Sequence, residues 1–122
     1  MRSLLAISLA LAPILVVAQA SFPTEFPAGS TELTADALRA RLVGKTFSFK
    51  PVVGNHVRIE YKDVYAFVNV GATSDSGKWR VEGSSVCNEW TKLPHTCSAF
   101  RLANDVLYVK RANNGEVVAL TP

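Results

Sequence analysis

The side chains of this 122-residue chain that could do chemistry are two cysteines, two histidines, two tryptophans and scattered charged groups. A hydrolase needs a nucleophile held by a base, yet His56 and His95 are the only histidines and neither Gly-x-Ser-x-Gly nor His-Glu-x-x-His occurs. Zinc needs three or four converging ligands. With Cys87 and Cys97 joined to each other, only loop histidines and dispersed carboxylates remain, so no metal site is expected. Gly44-Lys45-Thr46 has the lysine of a phosphate loop but stands where a helix ends and a strand begins, the reverse of the required order. The expectation is therefore no enzyme activity and no cofactor.

Binding chemistry has better candidates. Cys87 and Cys97 would close a ring that contains Trp90, Lys92, Leu93, Pro94 and His95. Such a clamp is worth about 2 to 3 kcal/mol against the unfolded chain, and a preorganised loop loses less entropy on association. Trp90, Lys92 and His95 supply the aromatic, cationic and pH-sensitive groups that interfaces favour. Trp90 has two possible placements, outward on the ring or folded inward as a cap on the core. Two strands add charge: His56, Arg58 and Glu60 alternate with Val57, Ile59 and Tyr61, and Lys78, Arg80 and Glu82 repeat the arrangement. Arg58 and Arg80 are accordingly candidate contacts for a protein or an anionic group.

The elements that must position these groups begin after a leader. Arg2, the apolar run Leu4 to Val17 and the triplet Ala18-Gln19-Ala20 have the three parts of an export signal, with cleavage before Ser21. The run is too short, and too broken by Pro13, for the roughly 20 apolar residues that span a bilayer. The remaining 102 residues suffice for one domain. They carry 12 basic and 10 acidic groups, an excess of +2 that gives no case for nucleic acid. An exported chain meets oxidising conditions, so a Cys87–Cys97 disulfide is the expectation, and the location is periplasmic or extracellular.

Residues 21–33, with Pro23, Pro27 and Gly29, suit an extended arm that packs over one end of the domain. Thr34 caps a short helix through Leu38 and Leu42 that stops at Gly44. Thereafter the pattern has period two. Strands are predicted near residues 46–50, 56–61, 65–70, 78–82, 85–90, 98–102, 106–111 and 116–120, with turns at Gly54-Asn55, Lys62-Asp63, Glu82-Gly83, Asn104-Asp105 and Asn114-Gly115. Eight short strands joined mostly by hairpins predict a mainly β domain over residues 34–122, an antiparallel up-and-down barrel or half-barrel. Its interior is expected to be filled by Phe47, Phe49, Val57, Ile59, Tyr61, Phe67, Trp79, Val81, Phe100 and Leu107 without a large cavity.

The segment Gly77-Lys-Trp79-Arg-Val81-Glu-Gly83-Ser-Ser-Val-Cys87, followed by Trp90 and Cys97, resembles small exported bacterial domains of unknown function with a Gly-x-Trp-x-Val, then Cys, then Cys signature. Leu42-Val-Gly44-Lys45-Thr46 is similar to their Leu-x-Gly-Lys-Thr opening, and the likeness covers most of Leu38 to Val109. It implies a periplasmic β-domain and brings no catalytic residues. Trp79 then has a core role rather than that of a ligand platform.

Two functions remain. One is an envelope binding module whose loops and ring contact a protein or envelope ligand. The alternative is a carrier of a small apolar molecule, lipocalin-like in manner, with Tyr61, Tyr65, Phe67 and Tyr108 around the barrel mouth. A cavity of about 300 Å³ or more separates the second from the first.

Overall fold

The computed structural model describes Ser3 and residues 7–12 and 21–122. Most of the leader predicted for residues 1–20 lies outside the described residues.

The helix α1, Ala35–Leu42, begins where Thr34 Oγ1 accepts from the Ala37 N–H at 3.2 Å. It ends ahead of Gly44, whose positive φ of 77° suits a residue without a Cβ. Eight strands follow in sequence order: β1 (Thr46–Phe49), β2 (Val57–Tyr61), β3 (Tyr65–Val70), β4 (Thr73–Glu82), β5 (Ser85–Trp90), β6 (Thr96–Ala103), β7 (Val106–Lys110) and β8 (Val117–Ala119). Each is antiparallel to the next in one sheet. The sheet curls until Ser48 and Thr121 exchange two backbone hydrogen bonds, 2.7 and 2.9 Å, that close β1 onto the residues after β8. The result is a nearly closed up-and-down barrel.

One end is packed and covered. Leu38 and Leu42 of α1 are fully buried against the aromatic cluster Phe47, Tyr61 and Trp79. The Tyr61 and Trp79 rings meet edge to face, 4.8 Å between centroids. Trp79 Nε1 donates to the Lys62 carbonyl at 2.8 Å, and the Arg39 guanidinium lies 4.9 Å above its ring. Arg39 and Arg41 also pair with Asp63 and Asp105, which stand in the β2–β3 and β6–β7 turns, so the helix sits across that end. In the second of those turns Asn104 and Asp105 both have positive φ, the geometry that joins twisted strands by a two-residue loop.

The arm departs from expectation: it runs along the outside of the wall formed by β6 to β8 rather than over an end. Thr31 pairs with Leu102, the Pro23 carbonyl accepts from the Val117 N–H, and Arg101 stacks on Phe26.

Two further expectations need correction. The strand predicted from Lys78 begins at Thr73, because Asp75 and Gly77 face inward in a segment whose Ser-Asp-Ser-Gly composition reads as loop. Gly77 is required there: a Cβ would fall 2.8 Å from the Trp90 Cα on the partner strand. In β3 the inward residues are Ala66, Val68 and Val70, so Phe67, expected inside, is outside and 48% exposed. Both faces of this strand are apolar, and a one-residue shift of register exchanges them.

Trp79→Ala should cost about 3 to 5 kcal/mol, as truncation of a large core side chain does. Chemical melts of wild type and variant measure it. An unchanged midpoint would remove Trp79 from the core.

Candidate functional site

The end opposite α1 is not filled. A cavity of about 360 Å³ lies inside the barrel there, contrary to the expected packed interior. Its apolar wall comes from inward positions of successive strands, among them Phe49, Ile59, Val68, Trp90, Phe100 and Leu120. Tyr61 reaches it from the packed end, and burial pushes its phenol well above the ordinary tyrosine pKa, so it stays neutral. Asn88, Thr96 and Ser98 form a polar strip on one wall. Asn88 and Thr96 are directly opposite each other in the β5–β6 register.

The disulfide stands on the outside of this wall. Cys87 and Cys97 face each other across β5 and β6, with Cα atoms 4.0 Å apart. Alternation along each strand turns Asn88, Trp90, Thr96 and Ser98 inward. Trp90 thus takes the inward of its two placements and is 8% exposed. The ring does not offer it to a partner at the surface.

The rim is built by two buried carboxylates. Asp75 accepts from the backbone N–H groups of Lys92 and Leu93 at 2.8 and 2.9 Å through Oδ2, and from Ser76 at 2.8 Å through Oδ1. This holds the ring so that Leu93 and Pro94 line the mouth. Burial works to raise the Asp75 pKa, but the donors of Leu93, Lys92 and Ser76 with the Lys92 charge prevail and hold it below the usual carboxylate range. Across the opening Glu116, with no exposed surface, receives the Val52 N–H on both carboxylate oxygens at 3.0 and 3.3 Å. The β7–β8 loop is thereby tied to the β1–β2 loop. Arg111 leans over the Phe49 ring at 5.5 Å and places a cation at the rim.

The remaining sequence candidates do not converge. Lys92 and His95 have exposed side chains on the ring. Arg58 points outward from β2 and Arg80 outward from β4, with β3 between them. Arg80 is matched by Glu82 at 2.7 Å and Glu89 at 2.9 Å, and its charge is largely spent on them. Of the four aromatic residues proposed for a barrel mouth, Tyr61 lines the cavity while Tyr65 and Phe67 are exposed on the outer face of β3. Tyr108 is likewise not among the cavity residues. Glu82 lies beside Cys87 and Cys97, the one such convergent group among the described residues, but disulfide sulfurs are not thiolate ligands.

Asn88, Asp75 and Glu116 were not legible as site residues: each is one polar residue in an ordinary strand or loop. Position alone carries a signal for Asn88. It shares a face with Trp90, two residues on. Comparison with known proteins finds no matching family model, curated protein or solved structure. Among the described residues no helix is long and apolar enough to cross a membrane.

Because the Asp75 pKa is depressed by folding, its contribution is complete above the unfolded value of about 3.9 and is lost as pH falls through the lower folded value. The stability gap between wild type and Asp75→Asn, from chemical melts, should be constant from pH 7 to 5 and narrow below pH ~3.9. A gap that is the same at low pH would mean the carboxylate does not hold the ring.

Proposed function

We propose that this is an exported carrier that holds one small apolar molecule inside its barrel. The observation that supports it is the cavity of about 360 Å³ at the ring end, within the range of small-molecule sites and far larger than the gaps of a packed interior. The wall is mainly aliphatic and aromatic, the lining that gains most from excluding water. The mouth is fixed by backbone hydrogen bonds to Asp75 and Glu116 and by the disulfide, so little ordering accompanies binding. The inward Trp90 leaves the ring without the aromatic anchor that a surface-docking module would use. Export rests on the leader sequence and agrees with the disulfide.

Calorimetric titration of the mature protein with naphthalene tests the reading. The expectation is saturable one-to-one binding. Val70→Phe, which adds a ring to a partly exposed cavity position, should weaken it at least tenfold with little change in the melt. Absence of saturable binding by wild type would refute the carrier.

Intact mass after secretion should correspond to a chain that begins near Ser21, and thiol titration should find no reactive sulfhydryl. Retention of residues 1–20 in the folded product would refute export by cleavage.

A further inference from the structure

Asn88 is the polar residue that the apolar barrel least explains. It is 8% exposed, lines the cavity, and its Oδ1 has no hydrogen-bond partner within the protein. A buried carbonyl without a partner is costly, and native interiors keep few of them. The strand would be better served by a valine or leucine at this position unless the amide has work to do. Thr96 stands directly across from it, and Ser98 follows two residues along the same face. Three groups that accept and donate hydrogen bonds are thus gathered on one wall, behind which the disulfide joins the same two strands.

Resting on the carrier reading, we infer that the ligand is an apolar molecule with a hydroxyl group, whose O–H donates to Asn88 Oδ1. Oδ1 is itself buried, and rotation of the carboxamide about its soft terminal torsion brings it to the cavity that Asn88 lines. The Thr96 and Ser98 hydroxyls lie on the same strip to donate to the ligand oxygen. The rest of the molecule occupies the wall formed by Ile59, Val68, Trp90 and Phe100. A pure hydrocarbon would fit the volume but leave the strip unpaired, and discrimination of this kind is where buried polar groups are most effective.

Calorimetry with naphthalene, 2-naphthol and 2-methoxynaphthalene on the mature, oxidised protein tests this. Wild type should bind 2-naphthol about tenfold more tightly than naphthalene, the effect of one satisfied buried hydrogen bond. The methoxy compound, which cannot donate, should gain nothing over naphthalene. In Asn88→Leu the preference for 2-naphthol should fall to about onefold while naphthalene still binds. Equal wild-type affinity for 2-naphthol and naphthalene, or a preference that survives Asn88→Leu, overturns the inference and leaves the carrier standing. Failure of all three compounds to bind overturns both. Should the variant not fold, the wild-type ratios of the three compounds decide the matter alone.

Discussion

Closure of the sheet by the Ser48–Thr121 pair is the constraint on which the rest of the molecule depends. An open meander of eight short strands would present two unpaired edges and one exposed apolar face. Once closed, the barrel has an inside whose circumference is set by strand number, and eight strands enclose room for side chains or for one small ligand. Here the space is divided. Phe47, Tyr61, Trp79 and the helix leucines occupy one half, while smaller residues such as Val57, Val68 and Val109 leave the other half vacant. A sealed void of about 360 Å³ would cost about 9 kcal/mol at the usual ~24 cal/mol per Å³, comparable with the whole stability of a small domain. The vacancy is tolerable because it opens at the ring end, where Pro94, Ala112 and Asn113 are exposed.

An open end needs its own support, since the loops around it lack a core to rest on. Charged groups supply that support from inside. Asp75 and Glu116 each bury a carboxylate and spend it on backbone N–H groups of a neighbouring loop, which satisfies donors that an irregular segment would otherwise leave unpaired. Exposed pairs such as Arg39–Asp63 contribute little by comparison, because water and salt screen them. The rim is therefore polar in its fastening and apolar in its lining. The loop that brings Leu93 to the mouth is held through its own backbone N–H groups by the Asp75 carboxylate.

Much of this architecture was legible from sequence. Period-two patterning placed eight strands, Asn104-Asp105 gave a tight turn with both φ values positive, and Thr34 capped the helix. These are local signals, and local chemistry decides them. The cavity was not legible, because an apolar residue facing a void and one facing a neighbour look the same in a sequence. Phe67 was misplaced for a related reason: Tyr65-Ala66-Phe67-Val68 is apolar on both faces, and the larger rings lie outside. The start of β4 was hidden because Asp75 and Gly77, poor strand formers, are there for the ring and for close approach to β5 rather than for propensity.

The orientation of Trp90 and Asn88 follows from a single parity. Cys87 and Cys97 bond as opposite residues of adjacent antiparallel strands, and Cys97 is exposed, so the pair belongs to the outer face. Side chains alternate, so Asn88 and Trp90 on β5 and Thr96 and Ser98 on β6 must lie within. A slip of one residue would exchange all of these at once, bringing the disulfide into the cavity and the polar strip into solvent. The covalent bond locks the register of β5 against β6, and pairing with β4 on one side and β7 on the other sets which face is enclosed. The disulfide therefore does more than limit the unfolded chain: it keeps Asn88 directly opposite Thr96 on the enclosed face. The wall it fixes is the one where Asn88 stands without a partner in the protein.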